Sequence, residues 1–239
     1  MSDLDDLKDD LIVASNLLLW EIGDIWGHVG VRVPERQEFM VKFMRSPLDE
    51  NIDPNDILTY DLKGNKVGGK RETPNELPIY TRIFKERADV NSIVHCHPPM
   101  VVALSIAGQQ IMPIHLQSFR FGNSVPVLGK PAMIVNDEEG DELAQTLGPD
   151  VAVVIRGHGA VTVGKTIPQA CLNMMYLERT AKIQAIAGLY GKIDPVSSEY
   201  IELQRARLKH EGGGGGGVYE WKYYKERVKK GEKWTRGWT

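Results

Sequence analysis

The sequence is poor in cysteine. Cys96 and Cys171 are its only two in 239 residues, too few for a disulfide framework or a cysteine-rich structural metal site. It also lacks charge of one sign. The 29 Lys+Arg against 32 Asp+Glu leave a formal net charge of −3, so no global field selects nucleic acid or an anionic membrane. No apolar run approaches the roughly 18 residues that a membrane span needs. Met1–Asp10 is acidic, without the basic-then-apolar order of a signal peptide, and a cytoplasmic location is expected. No internal repeat and no regular βαβ rhythm is present. What is there, 42% hydrophobic and 26% charged residues, is the composition of a globular chain of one large domain or at most two small ones.

Local patterns supply the elements. Leu4, Leu7, Leu11 and Ala14 recur at helical spacing, with Ser2 as N-cap and acids in the first turn. Gly23, Gly27 and Gly30 end that pattern. Val31 and Val33 alternate with Arg32, and Phe39, Val41 and Phe43 with Met40 and Lys42, which predicts short antiparallel strands before a polar loop over 47–55. Ile57–Leu62 reads as a strand turning through Lys63-Gly64-Asn65-Lys66 into Val67. Leu77, Tyr80, Ile83 and Phe84 mark a helix between Glu76 and Val90. Ser92–His97 reads as a strand stopped by Pro98-Pro99, and Met100–Ala107 as a short apolar helix.

Ile111–Ile114, Val125–Leu128 and Ala132–Val135 are apolar runs expected to be strands, and Glu138–Leu147 an amphipathic helix. Val151–Ile155 and Ala160–Val163 form a strand–turn–strand around Arg156-Gly157-His158-Gly159. Thr166 followed by Pro168 opens a helix to about Leu189, apolar nearly all round up to Leu177 and so deeply packed. Pro195–His210 is a further helix. The mixture argues for α/β layers around a largely antiparallel sheet.

Six glycines, Gly212–Gly217, divide a main domain, 1–211, from a basic aromatic tail, 218–239, of net charge +4. Three readings compete for the tail: a nucleic-acid contact, a helix over Tyr219–Lys230 packed on the domain or a neighbour, and a lid. As a lid, the glycines are a hinge of roughly 13 Å reach that lets tryptophans cover an active site.

The histidines carry the chemistry. In Val94-His95-Cys96-His97, side chains two apart on a strand share a face. His95 and His97 therefore converge, while Cys96 points away as a packed small residue. Two imidazoles suit one divalent ion, and an open site completed by water or substrate fits better than a closed structural one. His158 offers a third imidazole, since flanking glycines let the backbone turn sharply and approach a ligand. Glu76 stands 19 residues before His95 with one helix between them, which returns a carboxylate to the strand's end. Each has a competing reading: a chance His-x-His, a turn histidine bonded to a carbonyl, or the N3 acid of a Thr73-x-x-Glu76 capping box. Pro78 opposes the box, because proline prefers the first helical position.

With these residues in place, the chain resembles the class II aldolase/adducin family over about residues 10 to 210. The matching order is Gly27-His28-Val29-Gly30-Val31-Arg32, Pro74-Asn75-Glu76, His95-Cys96-His97-Pro98 and Gly157-His158-Gly159 before a long helix. The resemblance implies a three-layer α/β fold, with a central, mainly antiparallel sheet flanked by helices, in a cyclic homotetramer. It implies His95, His97 and His158 as ligands of a divalent metal and Glu76 as general acid/base. Zinc suits the imidazoles, with manganese, cobalt and iron left open. The metal would hold a chelating substrate and stabilise the enolate-like intermediate left when a C–C bond breaks.

The departures point to a branch. Sugar-phosphate members are similar to one another in a Gly-Asn-x-Ser turn, a Thr/Ser-Gly pair and two serines before the acid. Here those places hold Gly27-His28-Val29-Gly30, Arg45-Ser46-Pro47 and Pro74-Asn75, and Leu116 stands where a tyrosine follows His115. The chain looks like the branch acting on non-phosphorylated carboxylates, decarboxylases of dihydroxyphthalate or carboxymuconic-semialdehyde type. In that reading His28, Arg32, His115 and Arg120 bind a small-molecule carboxylate, and His115 is the alternative proton donor; an in-sheet or inter-subunit ion pair competes for Arg32, and a solvated loop charge for Arg120. No nucleic-acid or membrane partner is expected. The alternatives are a sugar-phosphate aldolase, epimerase or dehydratase, and a non-catalytic adducin-like interaction module.

Overall fold

The computed structural model describes residues 3–43, 56–210 and 217–231. Ser2, the 47–55 loop, Arg45-Ser46-Pro47, Gly212–Gly216, Trp234 and Trp238 lie outside the described residues. Helix α1 (Asp3–Ile22) leads to strands β1 (His28–Arg32), β2 (Glu38–Phe43), β3 (Leu58–Asp61) and β4 (Lys66–Gly68). Helix α2 (Pro78–Glu86) precedes β5 (Ser92–Cys96) and α3 (Pro99–Ile106). A 3₁₀ turn (Leu116–Phe121), β6 (Val127–Leu128) and α4 (Asp137–Leu147) lead to β7 (Ala152–Ile155) and β8 (Gly159–Gly164). Helices α5 (Ile167–Tyr190), α6 (Ser198–His210) and α7 (Val218–Lys229) follow.

The strands form one sheet in the order β4-β3-β2-β1-β5-β8-β7-β6. Its pairs are antiparallel except β6–β7, which is parallel. Alternation along each strand distributes apolar side chains to two cores. Val29, Val31, Val94, Cys96 and Val154 pack with α1, α3 and α5. Phe39, Val41, Ile93, Val153, Val161 and Val163 pack with α2 and α4. The result is the expected helix–sheet–helix layering. Helix α5 begins where Thr166 accepts a bond from Gln169 N, and every side chain from Ala170 to Leu177 is buried.

Two expected strands are absent, for one physical reason. Ala132–Val135 and Ile111–Ile114 have irregular backbone, because other groups satisfy their polar atoms. Ala132 O accepts from His158 Nδ1 at 2.7 Å, and Ile134 N donates to Glu76 Oε1 at 3.0 Å. Met112 N donates to Gln184 Oε1 at 2.9 Å and Ile114 N to Ser118 Oγ at 3.0 Å.

The tail helix α7 packs on α1. Trp221 is buried, and Lys225 Nζ meets Asp10 Oδ1 at 2.5 Å. This is the structural arrangement among the three expected. As a lid, α7 is misplaced for its own chain, because it lies at the end of the sheet occupied by Arg32, away from the histidines.

Candidate metal centre

The histidines meet because the neighbouring strands β1, β5, β8 and β7 begin, end or turn at the same end of the sheet. His28 opens β1 and lies opposite His95 in the β1–β5 register. His97 follows the end of β5, and His158 sits in the β7–β8 turn, where His158 N is bonded to Ile155 O at 3.0 Å. Gly159 is required there: a Cβ on it would come within 2.4 Å of Cys96 O and 3.1 Å of His97 Cδ2. Pro78 is the first residue of α2, so Glu76 precedes the helix. Below His97, Glu178 caps α3, accepting from Met100 N and Val101 N at 3.1 Å, and anchors the chain where β5 ends.

One ligating atom from each of Glu76, His95, His97 and His158 lies within 4.8 Å of the others. Hydrogen bonds orient the three rings. Nδ1 of His95 donates to Ala160 O at 3.0 Å, Nδ1 of His97 to Asp24 Oδ2 at 2.9 Å, and Nδ1 of His158 to Ala132 O at 2.7 Å. These partners can only accept, so each neutral ring carries its lone pair on Nε2. His97 Nε2 and His158 Nε2 stand 3.1 Å apart. His95 Nε2 is buried with no hydrogen-bond partner, and Glu76 Oε2 is 3.2 Å from it. Lone pairs facing lone pairs and a carboxylate repel unless a cation lies between them. The donor set therefore fits a divalent metal of the kind imidazole and carboxylate hold.

Burial raises the Glu76 carboxyl, but a hydrogen bond and positive charge at His95, the Ile134 N–H and positive charge at His158 outweigh it and hold the pKa at about 2; a cation held by the three Nε2 lone pairs, in place of protons there, acts in the same direction. Asp24 behaves alike: burial opposes ionisation, yet bonds from His97 and Trp26 N hold it at about 2. Burial and the neighbouring His95 lower His28 to about 3, so it is a neutral ring, 2.6 Å from Tyr80 Oη at Nδ1. Burial also lowers His158.

A cavity of about 710 Å³ opens over the cluster. Glu76, His28, His97 and His158 form its polar end; Trp26, Phe43 and Met133 supply apolar wall, and Arg71, Thr73 and Asn75 line it as well.

Arg32, His115 and Arg120 do not line this cavity. Arg32 shares the His28 face of β1, but four residues further on, about 13 Å along the strand. Its Nε donates to Val90 O at 2.8 Å, its Nη2 to Phe84 O, and the guanidinium stacks on Phe84 at 4.4 Å. Within this chain Arg32 thus binds one carbonyl in the last turn of α2, Phe84 O, and one beyond the helix, Val90 O, and does not face the cavity over the cluster. It also borders a second cavity, about 1040 Å³, between α7 and the start of α5. The one cluster of metal-ligating side chains among the described residues lies elsewhere, at Glu76.

His115 Nε2 is 3.0 Å from Thr180 Oγ1, and Arg120 donates to Asn173 Oδ1 at 3.0 Å while lying over Tyr176 at 4.1 Å. Both are bound to α5, which packs on the other face of the sheet. Within one chain neither touches the metal cluster.

Asp24, Trp26 and Arg71 were not legible as site residues. A signal existed for Asp24: it follows Gly23, whose φ of +75° ends α1, in a turn where Trp26 N donates to Asp24 Oδ1 at 2.8 Å.

The Class II Aldolase and Adducin N-terminal domain family matches residues 20–185. A 3,4-dihydroxyphthalate decarboxylase of Arthrobacter keyseri is 28% identical over 220 residues, covering 85% of this chain and 86% of the relative. One from Rhodococcus jostii is 27% identical over 172 residues, covering 66% and 70%. Among solved structures, an L-fuculose 1-phosphate aldolase from Glaciozyma antarctica superposes with a TM-score of 0.78 at 25% identity, over 96% of this chain and 92% of that one. An aldolase II superfamily protein from Pseudomonas syringae gives 0.80 at 22% identity, over 98% and 96%. The match spans more than half of the sequence and shares its fold, and the chain belongs to the class II aldolase and adducin N-terminal domain family.

Proposed function

We propose that the chain is a metal-dependent carboxy-lyase acting on a hydroxy-aromatic or unsaturated hydroxy/keto acid, with the catalytic residues in 1–211. The observation that carries this reading is the convergence of three Nε2 lone pairs and the Glu76 carboxylate at the end of a part-apolar cavity. His95, His97 and His158 hold the metal, zinc by preference, and Glu76 approaches it. A divalent cation there supplies Lewis-acid stabilisation for the electron pair left on carbon as CO₂ departs. Glu76, a carboxylate at neutral pH, takes a proton from a substrate hydroxyl and returns it to that carbon; solvent restores the hydroxyl proton. Trp26, Phe43 and Met133 offer the ring an apolar wall to lie against, and the neutral His28 offers a hydrogen-bonding nitrogen beside it.

The relatives named as decarboxylases support this choice, as does the apolar wall, which suits a ring better than a sugar phosphate. The second reading, an aldolase, epimerase or dehydratase of sugar phosphates, draws on the likeness to L-fuculose 1-phosphate aldolase. A non-catalytic adducin-like module is a third, and it requires no metal. We further propose a cytoplasmic homotetramer. No helix among the described residues is long and apolar enough to cross a membrane. In such an assembly His115 and Arg120 act on a neighbouring chain's cavity. CO₂ release from a panel of hydroxyphthalate-type acids, beside aldol cleavage of ketose phosphates, tests the ordering. Carboxylate turnover abolished by chelation is expected; faster turnover of a sugar phosphate overturns it. Light scattering tests the tetramer, and a monomer at micromolar concentration contradicts it.

A further inference from the structure

Arg71 borders the metal cavity from the segment between β4 and α2, and nothing in the proposed chemistry uses it. A guanidinium has two hydrogen-bonding edges. Asp56 takes one nitrogen: Arg71 Nε donates to Asp56 Oδ1 at 2.6 Å, with the two side chains 26% and 12% exposed. No acceptor among the described residues takes the Nη1 and Nη2 hydrogens. Lys66 bonds the Arg71 carbonyl and steadies its backbone. The fork is therefore anchored at its root, with no acceptor among the described residues on its Nη pair.

Among the described residues, two cations, Arg71 and Lys42, bear on Asp56. Lys42 is fully buried on the face of β2 opposite the cavity, its Nζ 3.0 Å from Phe43 O. Burial lowers its pKa to about 8, with Asp56 raising and Arg71 lowering it, so it remains mainly cationic at neutral pH. Asp56 thus stands beside two cations and neutralises one. Of the other acids that line the cavity, Glu72 is exposed and Glu76 belongs to the metal cluster.

We propose that Arg71 is a specificity-determining residue that seats a second carboxylate of the substrate, the one retained in the product. The inference rests on the carboxy-lyase reading, and chemistry selects which carboxylate it seats. A carboxylate that leaves as CO₂ gives up its negative charge in the transition state, so an arginine fork on it would stabilise the ground state and slow the reaction. On a carboxylate that stays, the same bidentate pair adds affinity and orientation without that penalty. The substrate class narrows to a hydroxylated aromatic or unsaturated dicarboxylic acid, with one acid group at the metal and the other at Arg71.

The test is calorimetric titration of the metal-loaded full chain with two unreactive probes: phthalate, which carries two carboxylates, and catechol, which carries hydroxyls only. Arg71→Met is expected to weaken phthalate by about 10- to 100-fold and to leave catechol and metal content unchanged. Arg71→Lys, which keeps the charge without the fork, is expected to restore part of the loss. Unchanged phthalate affinity, or equal loss for phthalate and catechol, overturns the proposal. Inorganic phosphate binding more tightly than phthalate in an Arg71-dependent way overturns it in favour of a phosphate seat. If Arg71→Met does not fold, Arg71→Lys alone must weaken phthalate more than catechol. Arg71-dependent phthalate binding without CO₂ release from any acid defeats the lyase reading and leaves this seat standing.

Discussion

Asp24→Asn isolates the support beneath one metal ligand. The carboxylate accepts three hydrogen bonds: Oδ2 from His97 N at 3.0 Å and His97 Nδ1 at 2.9 Å, and Oδ1 from Trp26 N at 2.8 Å. An asparagine offers one oxygen and one NH₂ group in the same space. If the oxygen faces His97, the NH₂ is driven against Trp26 N–H and the turn after α1 is lost. If the NH₂ faces His97, the ring must move or change tautomer, placing hydrogen on Nε2 and removing a lone pair from the cluster. Loss of such a partner behind a metal-bound histidine costs about 10- to 100-fold in metal affinity, or about 1.4 to 2.8 kcal/mol. Competition against a chromophoric chelator, with Asp24→Asn beside the unmodified chain, measures this directly. Urea unfolding of both metal-free proteins separates a folding defect from a binding one. Affinity within twofold of the unmodified protein, with the fold intact, would refute the reasoning.

Three further outcomes follow from the geometry. In Gly30→Ala the new Cβ falls 2.3 Å from Tyr80 Cε1, and Tyr80, buried against Phe39 at 5.9 Å, has little room to retreat. A loss of about 1 to 3 kcal/mol in urea unfolding is expected, and unchanged stability contradicts it. Arg32→Met should cost about 1 to 3 kcal/mol by removing the donors to the Phe84 and Val90 carbonyls while metal content stays constant. A fall in metal content at unchanged stability would return Arg32 to the site. His28 has its folded pKa lowered to about 3 from 6.5, so below pH 6.5 the unfolded chain takes up the proton first and stability falls with pH. Between pH 7 and 5 this residue accounts for about 2 kcal/mol of the loss. His28→Asn should flatten the slope by that amount, and an unaltered slope rules the residue out as its source.

Much of the site could be read from residue order because strand and turn geometry are local. The two-residue period put His95 and His97 on one face and Cys96 on the other, where Cys96 indeed packs with α5. Pro78 correctly placed Glu76 before its helix. What failed was long-range. Period two gives the face of Arg32 but not the end of the sheet on which it lies, and its partners sit more than 50 residues away at Phe84 and Val90. Asp24 reaches His97 across 73 residues, which no local pattern shows. The apolar run Ala132–Val135 has the composition of a strand, yet Glu76 and His158 take its polar groups. His115 and Arg120 carry the right chemistry in sequence, and the fold binds them to α5. The layered architecture was legible because the buried runs at β5, β7, β8 and α5 are long and distinct.

The central claim is that Glu76, His95, His97 and His158 together hold one catalytic divalent ion. Elemental analysis of the purified full chain beside His97→Ala, with CO₂ release measured on the same samples, tests it most directly. The account predicts close to one metal per chain in the unmodified protein, and loss of both metal and CO₂ release in the variant. It also predicts that chelation abolishes activity and that added metal restores it. CO₂ release at full rate from metal-free protein, or a His97→Ala chain that keeps its metal and its rate, would contradict it.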